Sequence, residues 1–581
     1  MGQSVISLPN DLSALAPMTQ PGRDDLAEWR ASKSTNFFHS TSALALSMNL
    51  WMDERFSEQL RHRLDAFGHT VAIEIDAAVE TAERNREFPK LRAFDGIGQH
   101  VDRIEFHPSH DVAARATWAS GVLATPLTYD GAFELAGLFF LLSNVGEGGQ
   151  ACPVVCTLGL RRALERRGST ELKDQYLEGL ASADAATALR GSQFLTEVQG
   201  GSDVGANATV AVADQELHGA WRIHGEKWFC SVADADLFAM TARPDGAPLG
   251  TKGLACFLVP RTIDGVTPNG FRIRRLKDKL GTRSLASAEI DFDGALAWPI
   301  GELDEGFAIA VSELLNTSRW LNALGSTGIM NRTYLEASSF ARHRRSFGLR
   351  IDTFDAVKEQ LAIMRIETAA ALASTMALTH LVGRIDEGAA TEDEVALHRL
   401  LVNANKYVTS VAASDVVHRG IEVLGGNGTI EDFSPLPRLY RDAIVFESWE
   451  GTHNVLCAQV RRDCARLGLL NVVSTWVRDE LALVVPSLAE DVERVRAALE
   501  VLVPAVDKTV ENSSESAALF RRQLTSLTRV VQATCLLRLA SHPVSTGSDV
   551  AIASAFIGMH LTVDGFAEQP SWFAFVDQVL S

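Results

Sequence analysis

The sequence predicts a mainly helical protein with a β domain inserted between two helical layers and a further helical region at its end. Three observations predict it. Apolar residues recur at helical spacing up to about residue 190. The chain from Thr209 to Phe292 alternates and turns instead. Helical spacing then returns near Gly306 and dominates to the last residues. At 581 residues the chain is too long for one ordinary core. We place the divisions at 1–190, 191–300, 301–467 and 468–581.

In the first region Leu60, Leu64, Phe67, Val71, Ile75 and Val79 share one face of a segment from about Ser57 to Arg86. Further helices are predicted at about 110–122, 130–144, 153–167 and 171–182. The text then reads TVAVADQELHGAWRIHGEKWFCSV, LFAMTARP, GLACFLVPR, FRIRRL and ASAEIDFDG. β-branched and aromatic residues broken by Gly, Pro and Asp predict a compact antiparallel barrel or sandwich. Long helices follow at about 306–345, 354–386 and 393–424, the first of them amphipathic. The last region is helical again, with Pro486, Pro504 and Pro543 as breaks and a linker-like stretch from Thr509 to Ser516. It leans acidic, with 8 Lys/Arg against 13 Asp/Glu.

Hydrophobic content of 46% and charged content of 22% describe a globular protein. A formal charge of −19 works against non-specific attraction to nucleic-acid phosphates. Seven scattered cysteines, an odd number, point to reduced thiols and a cytoplasmic setting. Cys152 and Cys156 have no second ligand pair nearby, so they read as one helical face of a core, with no metal expected. The first residues lack the basic and apolar runs of a signal peptide, and AGLFFLL stops at Ser143-Asn144 before it could span a bilayer.

Five motifs carry chemistry. Trp449-Glu450-Gly451-Thr452 puts a carboxylate on a glycine-flexed bend between helical patterns, where burial would raise its pKa toward that of a useful base. QFLTEVQGGSDVGANAT, from Gln193 to Thr209, crowds hydroxyls and glycines where helices give way to strands. GEKWFCSVAD runs from Gly225 to Asp234. ARHRRSFG, from Ala341 to Gly348, and EVLGGNGTIED, from Glu422 to Asp432, end two helices with basic residues or open glycines. Taken singly, each reads as a surface turn, a connection, a half-buried strand or a dipole-complementing helix end.

Together, in this order, they resemble the acyl-CoA dehydrogenase family. Thr-Glu-x-x-(Ala/Gly)-Gly-Ser-Asp, Arg-x-x-Phe-Gly and the glutamate nine residues after Arg441 are matched, and GEKWFCS looks like Gly-x-Lys-x-Trp-Ile-(Thr/Ser). TNFFHSTSALALSMNLWMDERF and RLKDKLGTRSLASAEIDF look most like the alkylation-response, AidB-like branch. The resemblance implies an N-terminal helical domain, a middle β domain, a C-terminal four-helix bundle and, here, a helical extension.

It implies FAD held by Leu195, Thr196, Gly201, Ser202, Phe229, Ser231, Arg344, Phe347, Glu422, Gly425, Gly426 and Thr452. Arg344 and its neighbours would reach the FAD of another subunit in a homodimer or homotetramer. Phe229 stands where the family more often has Trp, and Glu422 where many relatives have Gln. Ser202, Arg319 and Gly451 would meet an acyl-CoA, and Glu450 would abstract its α-proton while a β-hydride passes to flavin N5. An electron-transfer flavoprotein is the implied acceptor. A second reading is an AidB-like flavoprotein that binds nucleic acid in the alkylation response with little dehydrogenase activity. A third is oxidation of a non-CoA substrate.

Overall fold

The computed structural model describes residues 22–512, 517–562 and 572–581. The text read for a leader, and residues 513–516 of the linker-like stretch, lie outside the described residues. The N-terminal layer holds α1 (Arg23–Ala31), α2 (Ser42–Met52), α3 (Glu58–Thr70), α4 (Asp76–Asn85), α5 (Pro108–Ala119), α6 (Tyr129–Leu142), α7 (Ala151–Arg167) and α8 (Thr170–Leu180). A π-helical turn, Val71–Ile75, joins α3 to α4 as one rod, and Ser57 caps it by accepting from the Leu60 N–H. A hairpin interrupts this layer, β1 (Lys90–Phe94) with β2 (His100–Glu105), where no strand was expected. Its faces are mostly exposed, so burial imposes little two-residue alternation on its sequence.

The β domain comprises β3 (Gly191–Phe194), β4 (Val210–Ala213), β5 (Trp221–Ser231), β6 (Leu237–Pro244), β7 (Ala255–Pro260), β8 (Phe271–Leu276) and β9 (Ser287–Pro299). Pairing runs β4–β5–β9–β7–β6 and returns to β4, which closes a barrel; β3 joins β6, and β8 joins β9. The expectation of a wholly antiparallel sheet is corrected at two places, because β3 and β4 both pair in parallel with β6. They take successive stretches of β6, joined by the Leu195–Thr209 loop, so both run in its direction. Phe194, Ile223, Phe238, Met240, Phe257, Ile290 and Phe292 fill the interior.

The C-terminal layer holds α9 (Gly306–Ile309), α10 (Asn316–His343), α11 (Asp355–Asp386), α12 (Glu392–Leu424), α13 (Leu436–Ser448) and α14 (His453–Leu467). α10 is not the amphipathic helix its sequence suggested. It is buried along nearly its whole length, since α6, α7, α11, α12 and α13 pack around it. Its small residues permit this: a Cβ on Gly328 would stand 2.5 Å from that of Ser143. The helix also stops at His343, two residues short of expectation. The hairpin β10 (Arg345–Ser346) and β11 (Leu349–Arg350) follows. By length and composition α11 could cross a bilayer, contrary to the sequence reading. Most of that stretch is buried against neighbouring helices.

The last region forms α15 (Leu469–Ala482), α16 (Ala489–Glu511), α17 (Ala517–Ala540), α18 (Gly547–Leu561) and α19 (Trp572–Leu580). Pro504 does not break a helix; it lies inside α16. Pro504 and Glu500, whose carbonyl loses its helical donor, are both exposed, so water can replace the missing bond. These helices share one apolar cluster with α2, α6, α11 and α12. Glu367 of α11 anchors them as well, accepting from Arg529 of α17 and His560 of α18, each at 2.7 Å.

Candidate active site

Between α13 and α14 the backbone makes a strained bend. Glu450 has φ +59° and Gly451 φ +106°. A non-glycine residue in the left-handed region costs roughly 1–2 kcal/mol, so its surroundings must impose it. Lys406, fully buried in the middle of α12, donates to the carbonyl oxygens of Glu447 (2.9 Å) and Gly451 (3.3 Å). Arg319 of α10 donates to the Glu450 carbonyl (3.0 Å) and to the side-chain oxygens of Asn316 and Gln459. Asn322 donates to the Phe446 carbonyl at 3.1 Å. Trp449 stacks on Phe446 and packs against both the barrel core and the bundle core.

The same surroundings set the charges. Burial pushes the Glu450 carboxyl up to about 7, against the downward pull of Arg319 and Lys406. Burial also lowers Arg319 to about 10 and Lys406 to about 7, with Glu450 pulling each back up. Cys152, on the first turn of α7, feels the Glu450 charge too. Its thiol is held well above its usual value by the contact with Cys156 and by burial, with Glu147 and Glu450 adding to the effect. Cys152 belongs to the same apolar core against which Trp449 packs. Cys152 and Cys156 are buried one helical turn apart, 3.7 Å between sulfurs, and no metal-holding cluster occurs among the described residues.

Across from the turn lies the barrel. Lys227, also fully buried, pairs with Glu197 at 2.7 Å, and Glu197 accepts further bonds from the N–H groups of Ala208 and Thr209. The Trp228 N–H donates to the Thr196 carbonyl at 2.9 Å. These contacts stitch the Leu195–Thr196 segment along β5. Gly201 is required here, since a Cβ would stand 2.6 Å from the Thr196 hydroxyl. Phe229 is left 53% exposed, a large apolar surface with the Lys277 ammonium 4.7 Å from its ring centre. The Ser231 hydroxyl sits 3.2 Å from that of Ser287, and Ser202 is exposed on the loop. Gln193 donates to Ser318, next to Arg319, at 3.0 Å, and so joins the barrel strand to the turn's support.

Asp442, on α13, locks three layers together. It accepts from the Thr282 N–H of the barrel (2.6 Å) and the Glu147 N–H of the N-terminal layer (3.1 Å). Spacing gave no sign of this, nor of Lys406, Glu447 and His453; each needs long-range packing to acquire its role. Thr452 opens α14 but is exposed and makes no capping bond with its side chain.

The remaining predicted residues gather elsewhere. Arg344 ends α10, and Phe347, φ +54°, stands 98% exposed at the hairpin tip. Glu422, Gly425 and Gly426 are exposed at the end of α12, and no atom of the described residues lies within 4 Å of a Cβ built on either glycine. Trp29 of α1 bridges this end, stacked on Phe433 and edge-on to Phe340. From Arg319 to Arg344 the helix α10 rises about 37 Å, so Arg344 cannot serve the same chain's Glu450 region.

The comparisons with known proteins agree with this architecture. The model of the acyl-CoA dehydrogenase C-terminal domain matches residues 304–464, that of the middle domain 192–295, and that of the adaptive response protein AidB N-terminal domain 30–185. The chain is 30% identical to acyl-CoA dehydrogenase family member 11 of Caenorhabditis elegans over 88% of this chain and 85% of that one. It is 32% identical to the putative acyl-CoA dehydrogenase AidB of Escherichia coli K12 over 64% and 69% respectively. The structure of C. elegans ACDH-11 in complex with C11-CoA superposes with a TM-score of 0.87 at 27% identity, covering 98% of this chain and 97% of that one.

Proposed function

The chain belongs to the acyl-CoA dehydrogenase family, on its AidB-like branch, and from that premise we propose that it desaturates an acyl-CoA thioester between the α- and β-carbons, with Glu450 as the base. It is an oxidoreductase, and FAD is its cofactor. The single observation that carries the reading is the Glu450 turn. A carboxyl raised to about 7, on a bend held by two buried cations, is a group tuned to take a proton near neutral pH.

The residues fit the flavin. Leu195, Thr196, Gly201, Ser202, Phe229 and Ser231 would hold it on the barrel side, the exposed Phe229 ring offering the apolar surface. Thr452, at the mouth of the turn, would meet it from the bundle. FAD, when bound, supplies the acceptor for the hydride leaving the β-carbon. Arg344, Phe347, Gly425 and Gly426 would hold the diphosphate end of a neighbouring copy's FAD in a homodimer or homotetramer. Glu422 contributes no charge complement there, because a carboxylate repels a diphosphate. Ser202, Gly451 and Arg319 would meet the thioester; Arg319 also holds the turn through its bond to the Glu450 carbonyl.

Proton abstraction needs Glu450 ionised, so the rate should fall on the acid side of about pH 7. An electron-transfer flavoprotein would then reoxidise the enzyme. The formal charge of −19 gives the nucleic-acid reading no support. The test is anaerobic mixing of the purified flavoprotein with a panel of acyl-CoA thioesters, read at the flavin absorbance band. Bleaching is expected with at least one thioester, and Glu450→Gln should slow it by roughly 10²- to 10⁴-fold with FAD still bound. No bleaching by any thioester, together with salt-sensitive DNA association, would overturn the proposal.

A further inference from the structure

We propose that the C-terminal helical region acts on the catalytic turn, with Arg521 of α17 as a positioning residue for Glu450 working through Tyr407, His453 and Glu447; this rests on the reading of Glu450 as the base. Arg521 reaches both helices that support the turn. Its Nε donates to the Tyr407 hydroxyl of α12 at 3.0 Å, and its Nη1 donates to Asn454 of α14 at 3.0 Å. Thr525, one turn further along α17, shares the same Tyr407 hydroxyl at 3.0 Å. Tyr407 is buried and is the immediate neighbour of Lys406.

From Tyr407 the contacts run directly to the bend. Its ring packs on His453 with centroids 5.0 Å apart. His453 begins α14, three residues beyond Glu450, and its Nε2 lies 2.9 Å from the Glu447 carboxylate. Ser414 donates to the other Glu447 oxygen at 2.5 Å. Burial raises the Glu447 carboxyl, but the bonds from His453 and Ser414 outweigh it and leave the group below its usual range. The backbone carbonyl of Glu447 is one of the two that Lys406 holds. The path from Arg521 thus ends on residues flanking Glu450 on both sides.

Docking of the region does not depend on this path. Arg529 and His560 grip Glu367 on α11, and Arg461 of α14 donates to the carbonyls of Thr509 and Asn512. The apolar cluster shared with the bundle adds to both. Removing Arg521 should therefore loosen the turn and leave the helices seated. A bend that stores left-handed strain at Glu450 is the element most responsive to such a loss.

The experiment compares the full-length holoenzyme with Arg521→Met, Arg521→Lys and Tyr407→Phe. Hydrogen exchange read by mass spectrometry should quicken over 447–456 in Arg521→Met and Tyr407→Phe, with 489–511 and 547–561 unchanged. Flavin bleaching at saturating thioester should slow about tenfold in Arg521→Met, with thioester affinity and FAD content kept. Arg521→Lys should restore part of the rate. Unchanged exchange over 447–456 in both variants overturns the proposal, as does an equal rise across every helix of the region. A wild-type protein that no thioester bleaches would remove Glu450 as base, and the exchange data would still decide the contact path.

Discussion

Two bends at opposite ends of α10 carry the family's motifs, and they are finished to different degrees. Around Glu450, two buried cations bond three backbone carbonyls, and side chains from α10, α12 and α14 close over the bend. At the far end, Phe347 stands almost wholly exposed at a left-handed position, and Gly425 and Gly426 face open space. Both bends contain a non-glycine residue at positive φ. At the first, buried cations hold it; at the second, the two-residue turn between Ser346 and Leu349 does, with Phe347 and Gly348 both at positive φ. The contrast separates a bend closed over by side chains from one left bare at the surface.

The largest effect is expected from breaking the finished bend. Lys406→Met leaves two buried carbonyls without their donor, at ~1–3 kcal/mol of stability each, and should slow flavin bleaching by roughly 10²-fold. Its pH signature is distinct. Lys406 is one of the two cations that pull the Glu450 carboxyl down, so its loss should move the acid limb of the bleaching rate to higher pH. In the wild type both groups sit at about 7, and their titrations belong to the pair. The rate should therefore peak near neutrality, falling below it as Glu450 is protonated and above it as Lys406 loses its charge. The alkaline limb should vanish in Lys406→Met. A variant with an unshifted acid limb would show that the lysine does not sense the carboxylate.

The same contrast explains what was legible in the sequence. Glu450, Thr196 and Phe229 could be found because local text marks them: a carboxylate before Gly-Thr, hydroxyls among glycines, an aromatic in a Gly-x-Lys strand. The long helices and the inserted β domain were legible for a similar reason, since periodicity is local. Lys406, Glu447, His453 and Asp442 were not, because each lies in an ordinary helical stretch and acquires its role from partners far away in sequence. The closed barrel with its two parallel pairings, and the burial of α10 on every side, are tertiary facts as well. Pro504 misled for a physical reason: solvent satisfies the carbonyl it frees.

An intermediate effect is expected at the open end. Arg344→Ala removes a guanidinium whose fork suits a diphosphate, and FAD retention should weaken roughly tenfold to a hundredfold. Thermal unfolding of the apoprotein should stay within about 0.5 kcal/mol of the wild type, since Arg344 lies just past the end of α10 and is only half-buried. Equilibrium dialysis of FAD and differential scanning calorimetry read the two quantities separately. A large loss of apoprotein stability with FAD affinity unchanged would make Arg344 a structural residue of the hairpin and erase the difference between the bends.

The smallest effect on folding, and the sharpest on the comparison, is expected from Phe347→Asn. Among the described residues the ring has Phe354 as its only aromatic contact, at 6.4 Å, and it is 98% exposed. Its backbone, at φ +54°, is one that asparagine tolerates better than phenylalanine. If the tip served only its own hairpin, the substitution should leave stability unchanged or raise it slightly, with no other consequence. If a second copy covers the tip, burying that aromatic is worth about 2 kcal/mol, and self-association should weaken about thirtyfold. Sedimentation of wild type and variant across a concentration series distinguishes the two. An unfolding midpoint equal to or above the wild type's, with a lower share of the associated species, is the expected result. It would show why a strained, exposed phenylalanine is retained at the tip: its energy is realised only when another chain arrives.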